Sequence, residues 1–308
     1  MNAAVIAGRA ALSGAVLALA LPPVARAATS VQARAPRAAS PAERALSGGL
    51  VALRTPGSVM VRVAAGSFTM GSSPDDLALA LGLCAKETLG YHCDEQTFTS
   101  ELPRHTVRHG SFWLDRTEVT AGDYDRCAAT GTCRPRPLEG GARRFARPEL
   151  PATLVRSSDA ETYCRSRGAR LPSETELERA ARGPSGRTYP WGSTYDSRLS
   201  NHGRLGLDPS DWSDGFAELA PVGSFPEGRT PDGFLDLAGN AAEWTRDAFT
   251  PRHDLPADPT RGALLAVRGG HYLSSSAFLR SAARTPLAPD RALATVGFRC
   301  ARSADGSP

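Results

Sequence analysis

Oxygen-bearing side chains recur at short intervals in two segments of the chain, and both segments could bind calcium. The first has Asn201 followed by Asp208, Asp211 and Asp214, and the second runs from Asp236 through Asn240 to Glu243. Calcium takes six to eight oxygens from carboxylates, amide side chains and backbone carbonyls. Neither segment has the alternate-residue spacing of an EF-hand. The spacing alone is equally compatible with solvated turns that Asp and Asn side chains cap, so both interpretations stand at this point.

The cysteines are the second set with possible chemistry. They are Cys84, Cys93, Cys127, Cys133, Cys164 and Cys300. Six cysteines allow 15 pairings, but the first two pairs in sequence order are close enough to close small loops, which leaves Cys164 with Cys300. The alternative is zinc, which is disfavoured because no C-x-x-C is present and the six histidines are scattered. In an oxidising compartment we expect three disulfides and no thiol.

The N-terminus has the pattern of a secretory signal peptide. Arg9 precedes an apolar stretch over residues 10–21, which is too short to cross a bilayer, and Pro22-Pro23 ends it. Ala25-Arg26-Ala27 then supplies small residues around a cleavage site. The sequence therefore predicts export to the periplasm or the medium, with cleavage near Ala27 and no transmembrane anchor.

The composition limits the fold and the function that the rest of the chain can have. Its 30 Gly and 24 Pro in 308 residues exclude a helical bundle and indicate a fold rich in turns. The formal charge of +4 comes from the first 50 residues, which hold five arginines and one acid, so the remainder is neutral and nucleic-acid binding is not expected. We expect a flexible linker over 28–57, one folded domain over 58–303 and a tail over 304–308.

Capping patterns predict three short helices. They cover Ala121–Ala129 after Thr120, Asp159–Arg167 after Ser158, and Leu177–Arg182 after a Ser173/Glu176 capping box. Strands are predicted over 59–63 and within 105–114. Residues 184–250 are dense in Gly, Pro, Asp and Asn, so a segment of this length needs another source of order.

Eight short motifs then occur in an order that resembles the formylglycine-generating enzymes, also called the sulfatase-modifying factor family. They are Gly66-Ser-Phe-Thr-Met-Gly71, Phe112-Trp-Leu-Asp-Arg-Thr-Glu-Val-Thr120, Asp159-Ala-Glu-Thr-Tyr-Cys164, Arg170-Leu-Pro-Ser-Glu-Thr-Glu-Leu-Glu178, Tyr189-Pro-Trp-Gly192, Gly239-Asn-Ala-Ala-Glu-Trp244, Arg268-Gly-Gly270 and Gly297-Phe-Arg-Cys300. The resemblance covers about residues 59–302. It implies an irregular α+β domain that is related to the C-type lectin fold and has little regular secondary structure.

The resemblance also assigns ligands and a disulfide. It implies two calcium sites, one from Asn201 and Asp214 with the carbonyls of His202 and Phe216, the other from Asp236 and Glu243 with the carbonyls of Gly239 and Ala241. It places a long-range disulfide at Cys164 and Cys300, in agreement with the pairing reached by elimination.

The chain departs from the family at the expected active-site thiols. The family oxidises a peptide cysteine to formylglycine with oxygen and copper(I), which two soft thiolates hold. Those thiols are expected a few residues after Gly270, where Ser274 stands at the first position and the segment contains no cysteine. We therefore expect neither a copper site nor the copper-dependent activity.

Two functions remain open from the sequence. The first is a calcium-stabilised module that binds a peptide or small molecule in the former catalytic groove, where Ser274, Ser275 and Ser276 would be lining groups. The second is an oxygen-dependent oxidase of altered chemistry, since the resemblance extends to oxidases of secondary metabolism that lack the cysteine pair. Its candidate groups are His271, Tyr272, Ser274, Arg280 and Arg284. A Ser274 nucleophile with His271 as its base is a further, weaker hypothesis, because no orienting acid is evident.

Overall fold

A computed structural model describes residues 43–46, 50–55, 58–87, 93–203, 211–256 and 263–304. The predicted signal peptide over 1–27 and Asp208 lie outside the described residues. The helices are α1 (Pro74–Glu87), α2 (Ala121–Ala129), α3 (Ser157–Ser166) and α4 (Glu174–Arg182). The strands are β1 (Glu43–Leu46), β2 (Leu50–Thr55), β3 (Ser58–Val63), β4 (Gly66–Met70), β5 (His105–His109), β6 (Phe112–Asp115), β7 (Ala242–Ala248), β8 (Leu265–Arg268), β9 (Arg284–Leu287), β10 (Val296–Gly297) and β11 (Ala301–Ser303).

The described strands form three sheets. An antiparallel sheet has the order β1-β2-β3-β6-β11, a second has the order β10-β7-β8-β9, and β4 pairs with β5. In the second sheet only β10 runs parallel to its neighbour, β7. Short 3-10 helices over Glu95–Glu101, Gly140–Ala146, Ser197–Leu199, Pro226–Gly228 and Ser276–Leu279 connect these elements. No helix in the described part of the chain has the length and apolar character needed to cross a bilayer.

The helix predictions are confirmed with small changes of boundary. Helix α2 begins where Thr120 accepts the Asp123 N–H, and α4 begins with the reciprocal Ser173/Glu176 capping box. Helix α3 starts two residues earlier than predicted: Ser157 is already helical, and Arg156 is the N-cap without a side-chain hydrogen bond.

The predicted linker over 28–57 extends too far. Strands β1 and β2 lie within it, and β2 pairs with β3 so that Ala52 faces Val61 and is 3% exposed. The pairing gives the edge of β3 hydrogen-bond partners that a linker could not supply. The folded unit therefore begins before residue 58.

The main core lies where α2, α3 and the second sheet meet. Tyr124, Tyr163 and Phe298 contact one another with ring centroids 5.5–6.1 Å apart. Trp244 on β7 is fully buried in the same cluster and donates through Nε1 to the Val155 carbonyl at 3.0 Å. Residues 184–250, for which the sequence offered no source of order, are thus fixed at their C-terminal end by β7, which is a core strand.

Candidate functional site

The turn after β8 is the segment where the family resemblance places its active-site thiols. It begins with Gly269 and Gly270, whose φ angles of 92° and 67° favour glycine. A Cβ at Gly270 would lie 2.8 Å from the Phe278 carbonyl oxygen, so the backbone on the two sides of the turn approaches too closely for a side chain. The twin glycines therefore fix the shape of the turn over residues 271–280.

Ser274 and His271 do not form a nucleophile–base pair. The Ser274 Oγ accepts the backbone N–H of His271 at 3.0 Å, while the ring Nδ1 of His271 accepts the Leu273 N–H at 3.2 Å. Burial lowers the pKa of His271 to about 4, so the ring is neutral at pH 7 and carries its proton on Nε2. Nδ1, the unprotonated ring nitrogen that could act as a base, already accepts a hydrogen bond within the turn.

The three serines lie beneath the surface, which corrects their predicted role as groove-lining groups. Ser274, Ser275 and Ser276 are 4%, 1% and 1% exposed. Glu87, at the end of α1, accepts hydrogen bonds from both the backbone N–H and the hydroxyl of Ser276. The serines therefore stabilise the turn and present almost no surface to a ligand.

Arg280 and Arg284 are also structural, which corrects their placement in the groove. Arg280 is 2% exposed and donates to both carboxylate oxygens of Glu101, at 2.8 and 2.6 Å. Arg284 donates to both oxygens of Glu174, at 2.6 and 2.7 Å. Paired in this way, neither guanidinium is available to hold a substrate.

Four rings lie beside the turn, and the sequence analysis did not assign them to the site. Tyr189 donates its hydroxyl hydrogen to the Ser276 carbonyl at 3.0 Å, and Trp191 stacks on Tyr189 with a 5.3 Å centroid distance and an interplanar angle of 6°. Tyr195 contacts Tyr189 at 5.5 Å and the ring of His202 at 6.1 Å. Trp191 and Tyr195 are half-buried. The aromatic residues of the Tyr189–Gly192 motif were the sequence signal that could have placed Tyr189 and Trp191 at this site.

Tyr272 adds a phenol next to the turn. Its backbone N–H donates to the Asn240 carbonyl at 2.9 Å, and its side chain is 6% exposed. Burial, with the nearby Glu218 carboxylate, raises the pKa of Tyr272 to about 12. The phenol is therefore protonated at neutral pH and can donate a hydrogen bond but cannot act as a base.

The first predicted calcium set fits an oxygen-binding cation. Asn201 is 1% exposed, and its Oδ1 is buried with no hydrogen-bond partner in the described part of the chain. Asp214 is held by the backbone N–H groups of His202 at 2.7 Å and Phe216 at 2.8 Å, and its pKa is raised by burial. A buried amide oxygen that lacks a donor is a suitable ligand for a hard cation.

The second predicted set has the charge for a cation, but its oxygens are largely engaged. Asp236, Glu243 and the neighbouring Glu118 are buried together, and burial followed by their mutual repulsion raises the pKa of Glu118 well above its usual range. Glu243 accepts two hydrogen bonds from Arg299, each 2.7 Å long, and Asp236 accepts the Gly223 N–H at 2.6 Å. A calcium ion here would have to share Glu243 with Arg299.

Glu118 has a pKa that burial and the neighbouring carboxylates raise well above its ordinary value. Its Oε1 accepts from Asn240 Nδ2 at 3.0 Å, whereas its buried Oε2 faces no donor among the residues described. Burial also raises the pKa of Asp236, so the site disfavours full ionisation of the cluster. Across the described ranges no three His, Cys, Asp or Glu side chains could jointly hold a metal ion. Calcium would therefore need amide and backbone oxygens in addition to carboxylates.

All six cysteines form disulfides, and the predicted pairing is confirmed. Cys84 pairs with Cys93, Cys127 with Cys133 and Cys164 with Cys300. The third bond joins α3 to the segment before β11 and lies in the main core. The chain has no other cysteine, so no thiol remains.

Comparison with known proteins identifies the family. Residues 51–304 match the family described as "Sulfatase-modifying factor enzyme 1-like domain". The chain belongs to this family. Its fold is accordingly the α+β, C-type-lectin-like fold that the resemblance implied.

The relatives include proteins named as enzymes and a protein named as inactive. The "Formylglycine-generating enzyme" of Streptomyces coelicolor is 32% identical over 283 residues, which cover 80% of this chain and 89% of that protein. The mouse "Inactive C-alpha-formylglycine-generating enzyme 2" is 36% identical over 163 residues, and the chain spans half of its length. Among solved structures, PvdO from Pseudomonas aeruginosa has 29% identity and a TM-score of 0.60, covering 80% of this chain and 94% of that one.

Proposed function

We propose that this protein is an exported, ligand-binding member of the family that lacks the copper-thiol oxidase chemistry. The observation that carries the proposal is the state of sulfur: every cysteine is in a disulfide, and Ser274 stands where the first thiol is expected. Copper(I) needs soft ligands such as thiolates, and a serine hydroxyl is a hard oxygen group. The residues at the turn do not fit copper, so no step of a reaction is assigned to it.

The aromatic cluster beside the turn supports a binding role. Trp191 and Tyr195 lie half-buried next to a backbone that Glu87 and Glu101 hold in place. Rigid aromatic surface near fixed hydrogen-bonding groups is typical of sites for peptides and small molecules. Calcium at Asn201 and Asp214 would stabilise the loop that carries His202, which contacts Tyr195.

Export is part of the proposal. The N-terminal pattern ending at Ala27 and the three disulfides are both typical of proteins that fold outside the cytosol. We expect the protein recovered from the producing cell's envelope or medium to begin at or near Ala28, which intact-mass spectrometry would show. A cytosolic protein that keeps residue 1 would contradict this part alone.

The chemical test compares the purified protein with the Streptomyces coelicolor relative as a positive control. We expect no free thiol after denaturation without reductant, no tight copper(I) binding and no aldehyde on a Cys-x-Pro-x-Arg peptide. Aldehyde formation or copper(I) uptake would refute the proposal. Oxygen consumption with a phenolic substrate would also refute it, in favour of the oxidase of altered chemistry.

The binding test uses the same peptide with serine in place of cysteine. We expect it to bind the wild-type protein and the Trp212→Ala variant similarly, because Trp212 is 64% exposed and makes no ring contact with the cluster in the described residues. The Trp191→Ala variant should bind about fivefold more weakly, since one stacked ring contributes about 1 kcal/mol. Equal binding by both variants would show that the cluster is not the site.

A further inference from the structure

A second groove lies away from the turn, between α3 and the ends of β7, β8 and β11. Its volume is about 1040 Å³. The apolar part of its lining is Ala169, Leu171 and Leu265, and the charged part is Arg165, Arg170, Arg246, Arg302 and Glu161. None of its lining residues belongs to the 271–280 turn or to either predicted calcium set. We call it the arginine groove.

Two of its arginines are neutralised by the protein. Arg165 donates through Nε to Glu161 at 2.8 Å, and Arg170 forms two 2.7 Å hydrogen bonds with the carboxylate of Glu176. Because each guanidinium is neutralised by a carboxylate, these two arginines contribute little attraction for an anionic ligand.

The other two arginines form no direct ion pair. Within the described ranges neither Arg246 nor Arg302 has a carboxylate oxygen within salt-bridge distance. Arg246 attracts the carboxylates of Glu176 and Asp247 only without direct contact, and Asp247 accepts the Glu174 N–H. Arg246 and Arg302 therefore give the groove a surplus of positive charge.

Arg302 is held so that its charge faces the groove. Its Nη2 donates to the Arg167 carbonyl at 2.7 Å, and its Nε has no partner in the described part of the chain. Gly168 lies against it, since a Cβ there would be 3.4 Å from Nη2. The Nε is buried, so a carboxylate in the groove could reach this guanidinium only through its terminal nitrogens.

The groove continues beyond these arginines. A second cavity of about 350 Å³ shares Arg170 and Ser303 with it and is also lined by Arg108 and His109 on β5. The second cavity therefore adds one arginine to the lining but also the carboxylate of Glu176. A ligand that carries both carboxylates and apolar groups would match the arginines and the apolar residues of the arginine groove.

We infer that the arginine groove binds an acidic peptide segment of a partner protein, with carboxylates on Arg246 and Arg302 and apolar side chains on Leu171 and Leu265. The chain's own first 50 residues are poor candidates, because they hold five arginines and one acid and would be repelled. Nucleic acid is disfavoured because the chain beyond residue 50 has no net positive charge.

The test is fluorescence anisotropy with the full chain and a labelled peptide of alternating Glu and Leu. The R246A/R302A variant should bind at least about tenfold more weakly than wild type, since two charge-assisted contacts are lost. The matched control is R198A/R229A, which removes the same charge from exposed arginines paired with Asp196 and Glu227 and should bind within about twofold of wild type. Thermal melting of each variant confirms that it is folded.

Three results would overturn the inference. The first is equal weakening in both double variants, which would indicate nonspecific attraction. The second is equal affinity for a peptide of alternating Lys and Leu. The third concerns Asp305, in the four residues after Ala304: a chain ending at 304 that binds the acidic peptide at least about tenfold more tightly would identify the chain's own C-terminus as the occupant.

Discussion

Replacing Arg280 by Met tests whether this arginine holds the turn or serves a ligand. Arg280 and Glu101 are each 2% exposed at the side chain, and the pair is reinforced by the Ser72 hydroxyl, which donates to Glu101 at 2.6 Å. The Arg280→Met substitution leaves a buried carboxylate without its cation. Removing one partner of such a pair costs about 3–5 kcal/mol, which in a domain of this size lowers Tm by roughly 6–20 °C.

The assay is urea unfolding followed by tryptophan fluorescence, with Arg126→Met as the control. Arg126 is 72% exposed and pairs with Asp123 on the surface of α2, so its replacement should leave stability nearly unchanged. The E101L/R280M double variant should recover much of the loss, because a buried ion pair can often be replaced by apolar groups at little cost.

A stable Arg280→Met protein would refute this interpretation. If Arg280→Met unfolds at the same urea concentration as wild type but loses ligand binding, Arg280 is a groove residue after all, as the sequence analysis had expected. If it is destabilised and the double variant is not recovered, the cost comes from lost packing on Phe98, over whose ring Arg280 lies at 4.9 Å.

Three further predictions concern the buried carboxyl cluster, the histidines and calcium. Glu118→Gln should unfold close to wild type in urea, because the raised pKa of Glu118 favours its neutral form, whereas Glu118→Ala should lose about 1–3 kcal/mol by leaving buried polar partners unsatisfied. The folded pKa values of His253 and His271 are about 4 against an ordinary value of 6.5, so both rings are neutral in the folded chain and protonation favours unfolding. The free energy of unfolding should therefore be unaffected by these rings above pH 6.5 and should decrease as the pH falls towards 4. Across this window the Tm should depend less on pH in His253→Asn than in wild type. Calcium at about 100 times its Kd should stabilise chelator-treated protein by about 2.7 kcal/mol and should fail to do so in Asp214→Asn, as measured by calorimetry.

Local signals in the sequence predicted the elements that depend on a few neighbouring residues. Helix α2 has its predicted bounds because Thr120 and Asp123 are enough to start it. The disulfides also followed from short separations, since two pairs lie within ten residues and the third was left by elimination. Helix α1 had comparable signals that were missed: Ser73 before it, Pro74 at its first position and acids in its first turn.

The environment of the turn could not be predicted because it is set by residues far away in sequence. Glu87 and Ser276 are 189 positions apart, and Glu101 and Arg280 are 179 apart. Nothing near Ser276 or Arg280 in the sequence shows that a carboxylate will meet them. A serine-rich stretch with an arginine therefore had the composition of a polar groove wall, although it folds as a buried, ion-paired turn.

These long-range contacts hold the backbone of the turn. Gly270 sets the close approach to Phe278, while Glu87 and Glu101 hold the turn from α1 and the 3-10 helix that follows it. None of these contacts uses the side chain of Ser274 as a ligand for a metal or substrate. Contacts from distant residues hold most of the backbone around Ser274, and the chemistry at this position is set by its own side chain, so the fold alone is a poor guide to activity here. The half-buried Trp191 and Tyr195 and the arginine groove are the features on which the proposed recognition of other molecules rests.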